Sequence, residues 1–475
     1  MSQSIKKAEI IDLYDRFAAH QRRWVAPQRF YHRYIEKLVH RLVPEPRRVL
    51  DIGCGNGDLL ASLEPEHGVG VDISAGMVKL AAERHAALQF RQADAESLEL
   101  DDTFDTVLMV NLLGHLEDIY TALQRTRGTL DERGRLVVVY YNHLWEPLLR
   151  LASSLRQRAP VPHENWLPMP EIENLLQLTG YDVVRSGRRM LCPAPIPGLA
   201  WFLNTLIAPL PLINAFSLIQ YVVARPRPAP RDPAQSDLTC SIIIPTKDEK
   251  GNIEDAIRRT PPLGRHTEYI FMDGHSTDGT VEEIERVTKA YPDRDIKFAY
   301  QDGKGKADAV RKAFGMATGD VFMILDSDLT MPPEDLPKYF EVIAAGTAEF
   351  VNGSRLIYPM EAEAMRFLNK MANYVFGWLF AWLMEQRVRD TLCGTKVLFR
   401  SDYQRIAANR AYFGDFDPFG DFDLLFGAAR LNLKIADLPI RYRERTYGEI
   451  KIHRFRHGLL LLKMSVFGAR KLKFF

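Results

Sequence analysis

Short apolar runs bounded by glycine, aspartate or proline recur along this chain, alternating with stretches whose apolar residues fall at helical spacing. In the first half the strand-like runs are RVLDIG, GVGVDIS, LQFRQAD, FDTVLMVN, GRLVVVYY, YDVVRS and LIQYVVARP. In the second half they are TCSIIIPT, EYIFMDG, IKFAYQ, DVFMILDSD and EFVNGSR. Strands alternating with helices predict an α/β architecture on parallel sheets. One segment fits neither pattern. In RPRPAPRDPAQSD, Arg225 to Asp237, alternating prolines and arginines suit neither a helix interior nor a central strand. It reads as a stiff, extended linker. The predicted organisation is a domain over 1–225, a linker over 226–237 and a domain over 238–475.

Two apolar stretches complicate this picture. Between Arg189 and Arg225 no residue is charged, and the run is long enough to span a bilayer of ~30 Å. Asn204, Pro209, Pro211 and Asn214 interrupt it. It reads as an insertion, about 191–217, before the last strand of the first domain. Two placements stay open, in a membrane interface or packed against protein. Met371–Met384, MANYVFGWLFAWLM, is too short to span and reads as a buried or interfacial helix.

Composition narrows the class without naming the chemistry. The 475 residues are 46% hydrophobic and 26% charged, which excludes disorder and fibrous repeats and leaves room for two or three domains. A net charge of +1 gives no global attraction for nucleic acid. Cys54, Cys192, Cys240 and Cys393 form no C-x-x-C pair, which argues against a zinc knuckle or a disulfide framework and for a reducing compartment. The N-terminus, MSQSIKKAEIIDLYDRF, is charged and helix-patterned rather than an apolar signal segment.

In VLDIGCGNGDLL, Asp51 ends a strand, Gly53, Gly55 and Gly57 follow, and a helix begins. Glycines there let backbone approach a ligand closely, and the helix N-terminus favours an anionic group. A dinucleotide fingerprint fails because Asp58 stands where its last glycine belongs. Asp72, at the tip of the next strand, has the spacing of a ribose-diol acceptor, and Asp94 stands at the tip of the third.

The order D-I-G-C-G-N-G, V-D-I-S, Q-A-D-A resembles the class I S-adenosylmethionine-dependent methyltransferases over roughly residues 30–225. The resemblance implies that Gly53 to Gly57 border the methionine moiety, with Asp51 beside them. It implies that Asp72 binds the ribose hydroxyls and that Asp94 and Ala95 contact the adenine. Methyl transfer is an in-line displacement in which positioning supplies much of the catalysis. His115 is the candidate catalytic side chain, against the plainer reading of a structural histidine. Tyr141, Asn142 and His143 lie where acceptors sit in such enzymes, and Tyr14 with the basic N-terminal helices is expected to cap the pocket. The methyl acceptor is not legible.

In the second half, SIIIPTKDEKGNIEDAI, then MDGHSTDGT with Asp273 and Asp278, then VFMILDSDL with Asp326 and Asp328, put acidic residues on successive strand tips. Carboxylates at alternate positions can hold one Mg²⁺ or Mn²⁺ against a diphosphate, and Lys304 and Lys306 precede them as phosphate-facing cations.

These motifs, with D-T-L-C-G-T-K and R-T-Y-G-E-I-K, resemble the family 2 inverting glycosyltransferases from Cys240 to about Lys451, and among them the polyprenyl-phosphate sugar transferases. The fold class implied is α/β with two Rossmann-like domains, a class I methyltransferase sheet followed by a GT-A fold. Residue by residue, the resemblance implies that Pro245, Glu249 and Asp273 contact the nucleoside. Asp326 and Asp328 would take the metal and diphosphate, with Arg445 and Lys451 over the phosphates or the acceptor. Two departures leave the base unread: the second motif carries Asp273-Gly274, and Asp248 replaces a common asparagine. For the carboxylate that faces the nucleophile, Asp421 is the first candidate and Asp423 the second, with a helix N-cap as the plainer reading of either. A phosphate monoester, with a second pKa near about 6, is already a nucleophile at neutral pH, so the carboxylate would orient it.

From Arg441 onward ten basic residues face only Glu444 and Glu449, a local excess of +8 interleaved with leucine and phenylalanine. Such a segment suits an anionic membrane surface. No nucleic-acid motif accompanies it. The expectation is a bifunctional transferase, cytoplasmic and peripheral at the inner face of the membrane. It would use S-adenosylmethionine, a nucleotide-sugar and Mg²⁺ or Mn²⁺ on a polyprenyl phosphate or cell-surface glycan. The alternative is that one half is a non-catalytic module for the other.

Overall fold

The computed structural model describes residues 5–19, 21–155, 158, 161, 164–358, 367–412, 420–445, 447 and 454–474; for 5, 21–28, 367–370, 411, 421 and 454–460 it describes backbone alone. The chain divides into two compact units, Met1–Arg227 and Pro228–Lys473. Each is built on a seven-stranded sheet.

The first unit contains β1 (Arg48–Ile52), β2 (His67–Asp72), β3 (Gln89–Gln92), β4 (Phe104–Val110), β5 (Leu130–Tyr141), β6 (Tyr181–Arg189) and β7 (Ile219–Pro226). Their order is β3-β2-β1-β4-β5-β7-β6. Leu50, Ile52, Val69, Val71, Val107, Met109 and Val138 form the core, as expected for strands covered on both faces. The sheet is not wholly parallel. β7 runs antiparallel to both β5 and β6, so no crossover helix is needed between β6 and β7, and the apolar insertion makes that connection. The strand ends where the run LIQYVVARP does, so Arg225 and Pro226, which also open the proline–arginine segment, belong to the sheet. Arg225 is buried with its guanidinium 3.3 Å from Asp182, and Pro226 pairs with Tyr181 at the strand's last position, where its missing N–H disturbs the ladder least.

In the insertion, Leu199–Trp201, Phe202–Ile207 and Ile213–Phe216 form three short helical turns. The asparagines that interrupt the apolar run hold it together. Asn204 Oδ1 accepts from the backbone N–H groups of Leu191 and Cys192, and Asn214 Nδ2 donates to the carbonyl of Ala208. Trp201, Leu212 and Phe216 remain exposed.

The second unit contains β8 (Thr239–Thr246), β9 (His266–Asp273), β10 (Asp295–Tyr300), β11 (Val321–Ile324), β12 (Phe350–Ser354), β13 (Lys396–Phe399) and β14 (Ile435–Pro439), in the order β10-β9-β8-β11-β13-β12-β14. Here too one strand is reversed: β13 is antiparallel to β11 and β12. Phe322, Ile324, Phe350 and Leu398 meet Phe422 and Phe426 in one core layer, and Ile242, Ile244, Phe271 and Val397 lie in the other. Among the described residues no helix is long and apolar enough to cross a membrane. The helix Phe367–Met384 buries Phe380, Leu383 and Met384 and exposes Met371, Tyr374, Val375 and Trp378.

Candidate active sites

In the first unit the tips of β1, β2 and β4 open on a cavity of about 410 Å³. Its floor is the turn after β1. Gly55 has φ +52°, and a Cβ there would point into open space, so backbone rather than side chain borders the cavity at this point. Asp72, at the end of β2, accepts from the N–H of Gly55 and of Ser74, each at 2.9 Å, which pins the turn. Ser74 in turn caps the helix Ala75–Arg84 by accepting from the N–H of Met77.

Asp51 and Asp72 are buried beside this turn, and among the described residues neither forms an ion pair. Burial, reinforced by the charge of Asp72, pushes Asp51 up to about 7. Burial also raises Asp72, against the hydrogen bonds from Ser74 and Gly55. Two enclosed carboxylates with no cation beside them suit a ligand that brings positive charge, such as the sulfonium and ammonium of S-adenosylmethionine. The cavity, the bare turn and this charge deficit therefore fit that cofactor.

The helix Ile5–Ala19 closes the cavity. Lys7 Nζ lies 2.6 Å from Asp94 and 2.8 Å from Glu96, Lys6 donates to the carbonyl of Leu116, and Asp15 accepts from the N–H of Gly76. The cavity wall therefore includes Lys7 and Tyr14 together with Asp94 and Ala95. Lys7 and Asp15 carried no sequence motif; the amphipathic spacing of Lys7 and Tyr14, two helical turns apart, was the available signal.

The cavity wall also includes Phe17, His115, Tyr141, Arg158 and Val161, with Tyr14 beside His115. Tyr14 Oη is 3.0 Å from His115 Nε2. Burial, then the charges of Arg158 and Lys6, depress His115 to about 4, so its ring is neutral at physiological pH. Tyr141 stacks on Tyr31, with the Arg158 guanidinium 5.1 Å from its ring centroid. Arg158 is itself held by both oxygens of Glu164, at 2.9 and 2.5 Å. Asn142 and His143 stand elsewhere. Asn142 donates to the carbonyls of Ala215 and Ser217 and so anchors the insertion, and His143 does not line the cavity.

In the second unit Asp326 and Asp328 follow β11. Lys306 Nζ lies 2.5 Å from Asp326 Oδ1, and Arg445 Nη2 lies 2.8 Å from Asp328 Oδ2. Surrounding protein pushes Asp326 up, but Lys306, Lys396 and Arg355 outweigh it and hold the carboxylate below its ordinary range. A third of its side chain still reaches solvent. Arg445 also approaches Glu249, at 3.5 Å, and Asn252 donates to the other oxygen of Glu249 at 2.8 Å. Both oxygens of Asp273 are taken by Ser276, through its N–H at 2.9 Å and its hydroxyl at 2.5 Å. Asp273 thus shapes the turn that follows β9. Pro245 sits within β8 beside Met272 of β9, and Lys304 is exposed.

Asp326 and Asp328 offer hard oxygen ligands, which fits Mg²⁺ or Mn²⁺. Among the described residues no group of three His, Cys, Asp or Glu side chains could hold a metal.

The candidate carboxylates for the nucleophile separate. Asp423 is buried and bound to Arg410 at 2.8 Å and Arg311 at 3.4 Å, an ion-pair cluster within the unit. Asp421 opens the helix Asp421–Arg430; its side chain lies outside those described, but the preceding Gly420 lies against Ala307, next to Lys306. Lys451 lies outside the described residues.

Sequence reasoning assigned no role to residues that frame this site from β12 and the D-T-L-C-G-T-K stretch. Arg355 grips Asp390 at 2.7 and 2.8 Å. A Cβ on Gly394 would fall 2.0 Å from Asp326 Oδ2. The glycine lets the stretch pass directly over the carboxylate.

Comparison with known proteins accords with two separate units. Residues 27–186 match the family model of a methyltransferase domain, and residues 241–408 match glycosyl transferase family 2. The chain carries one domain of each. Over 135 residues it is 35% identical to a dolichol-phosphate mannosyltransferase of Pyrococcus furiosus, covering 28% of this chain and 38% of that protein. The corresponding Saccharomyces cerevisiae enzyme is 36% identical over 107 residues, covering 21% and 39%. The chain thus spans about two-fifths of the length of these two relatives. Among solved structures, a SAM-dependent methyltransferase of Thermotoga maritima aligns at 19% identity over 46% of this chain and 99% of its own, with a TM-score of 0.37.

Proposed function

We propose that the chain is a bifunctional transferase. Its first unit moves a methyl group from S-adenosylmethionine. Its second unit transfers a sugar, with inversion, from a nucleotide-sugar to a polyprenyl phosphate, with a cell-surface glycan as the second acceptor class. The observation that carries the first half is the capped cavity with two buried carboxylates that, among the described residues, form no ion pair. For the second half it is the pair of strand-tip carboxylates, each facing a cation of the chain.

In the first unit Asp72 would accept the ribose hydroxyls and Gly53 to Gly57 would border the methionine moiety, with Asp51 facing its positive charge. Asp94 and Ala95 would border the adenine, with Lys7 covering them. The cofactor supplies an electrophilic methyl on sulfur; the chain orients the acceptor and excludes water. His115 is the catalytic candidate there.

In the second unit Pro245, Glu249 and Asp273 border the nucleoside. A bound Mg²⁺ or Mn²⁺ would neutralise diphosphate charge between Asp326 and Asp328. Lys304, Lys306, Arg445 and Lys451 would supply the remaining positive charge to the leaving diphosphate. Asp421 is the better candidate to orient the nucleophile, because Asp423 is committed to two arginines. The basic C-terminal segment and the exposed apolar faces around Trp201 and Trp378 support peripheral attachment to an anionic membrane surface, on the cytoplasmic side, in envelope biosynthesis.

The test uses the full chain with radiolabelled nucleotide-sugars, Mn²⁺ and a polyprenyl phosphate. Label is expected in the organic phase, and its absence there with every donor overturns the lipid acceptor. Calorimetry with S-adenosylmethionine should show binding that Asp72→Ala abolishes; equal binding by the variant removes Asp72 from the ribose site.

A further inference from the structure

We propose that the methyl acceptor is the hydroxyl oxygen of an uncharged molecule, and that Tyr14 and His115 together take its proton. The proposal rests on the methyltransferase reading of the first unit and concerns the wall around His115, for which that reading names a catalytic candidate but no acceptor chemistry.

The first argument is charge. Among the described residues the cations facing this wall are Arg158, which Glu164 binds through both oxygens, and Lys6, which donates to the carbonyl of Leu116. Phe17, Tyr141 and Val161 complete the wall. Among these described groups, a carboxylate or phosphate acceptor would have to draw a cation away from its present partner. An ammonium acceptor would enter beside Arg158 and would first have to shed a proton. Either would be desolvated with little in return. A neutral hydroxyl avoids both penalties.

The second argument is the proton. Attack by a neutral alcohol makes its oxygen far more acidic as the C–O bond forms, so even a weak base suffices. His115 is such a base. Its Nδ1 is enclosed and, among the described residues, has no hydrogen-bond partner, while Nε2 faces Tyr14 Oη at 3.0 Å. The way into the ring therefore leads through Tyr14, which lines the cavity. Burial raises the Tyr14 phenol above its ordinary range, so it keeps its proton and donates it to Nε2.

The step balances as follows. The acceptor oxygen bonds to the methyl carbon, and the carbon–sulfur bond breaks with its electron pair going to sulfur. The acceptor's proton passes to Tyr14 Oη as the phenol's proton passes to His115 Nε2. The products are a methyl ether, S-adenosylhomocysteine and an imidazolium, which returns its proton to solvent when the cavity opens. Among the described residues the charged and titratable groups facing the imidazole are Arg158, Lys6 and Tyr14, with Glu164 behind Arg158. The two cations return the ring to neutrality between turnovers.

The full chain is incubated with trideuteromethyl-labelled S-adenosylmethionine and, separately, with the aqueous and the chloroform–methanol phases of an extract of the cells that make it. The labelled product is expected to survive mild alkali and to carry no basic nitrogen, as an ether does. The phase that carries it tells a soluble alcohol from a lipid-borne one. A base-labile ester or an N-methyl product overturns the hydroxyl acceptor while leaving the methyltransferase reading intact. Bound cofactor with no label moved in either phase overturns both. On the labelled acceptor, His115→Gln and Tyr14→Phe should each lower kcat about 100-fold, with cofactor affinity unchanged by calorimetry. His115→Gln should also abolish the acid limb of the kcat profile. Retention of that limb overturns the role of the pair.

Discussion

Lys7 Nζ lies 2.6 Å from Asp94 Oδ2, so the first helix of the chain is latched by an ion pair to the loop that follows β3. Both side chains are largely enclosed, with 18% and 25% exposed. The pair helps hold the helix over the end of the cavity expected to take adenine. Lys7→Met should weaken cofactor binding by ~1 kcal/mol, about fivefold in Kd. Calorimetry checks it, and unchanged affinity would show that the latch does not bear on the cofactor.

Asp51 carries a proton linkage. Its folded pKa is raised from 3.8 to about 7. A raised carboxylate favours the folded state below its ordinary value and loses that contribution as pH climbs through the folded value. Without ligand, the first unit should lose stability between about pH 4 and 7. A cationic ligand reverses this by favouring the ionised form. Binding of S-adenosylmethionine near neutral pH should therefore release protons. Calorimetry in two buffers of different ionisation enthalpy measures this, and Asp51→Asn should remove the difference.

The strand tips were legible because parallel strands buried on both faces write themselves as apolar runs, and the acidic or glycine residue that ends each run marks its tip. Asp72, Asp326 and Asp328 were found that way. β13 and β14 were not foreseen. KVLF is only four residues and begins with buried Lys396, while IADLP carries Asp437 and Pro439, so neither has the apolar continuity of the central strands. Reversal of β7 was invisible for another reason: strand direction depends on the connection, and the insertion between Met190 and Leu218 has no helical crossover signature. The pairing of Arg158 with Glu164, and of Arg355 with Asp390 35 residues away, depends on tertiary placement that no local spacing encodes.

The Arg355–Asp390 pair is expected to be structural. Asp390 is wholly buried and also accepts from the N–H groups of Arg355 and Leu392. Arg355→Leu or Asp390→Asn alone leaves a buried group uncompensated and should cost about 3–5 kcal/mol. The double variant should cost less than the sum. Denaturant-dependent hydrogen exchange of β11 and β12 amides reads this within the full chain, and strict additivity would show that the two groups do not depend on each other.

Arg445 stands where a metal would have to compete. It donates to Asp328 at 2.8 Å and approaches Glu249 at 3.5 Å, so one guanidinium serves as counter-ion to two carboxylates. Asp326 has its own cation in Lys306 at 2.5 Å. A divalent ion arriving alone must displace Arg445 from Asp328, whereas one arriving with a diphosphate offers the guanidinium a replacement anion. Metal and donor should therefore bind with positive coupling, and Arg445 should be its source. In Arg445→Leu, Asp328 loses its counter-ion. Mn²⁺ alone should then bind about tenfold more tightly, by roughly 1.5 kcal/mol for one charge-assisted hydrogen bond. The nucleoside diphosphate should bind more weakly, and the coupling should shrink towards unity. Paramagnetic resonance of free Mn²⁺, titrated with and without the diphosphate, measures both quantities. Unchanged Mn²⁺ affinity in Arg445→Leu would mean that the arginine does not guard the carboxylate.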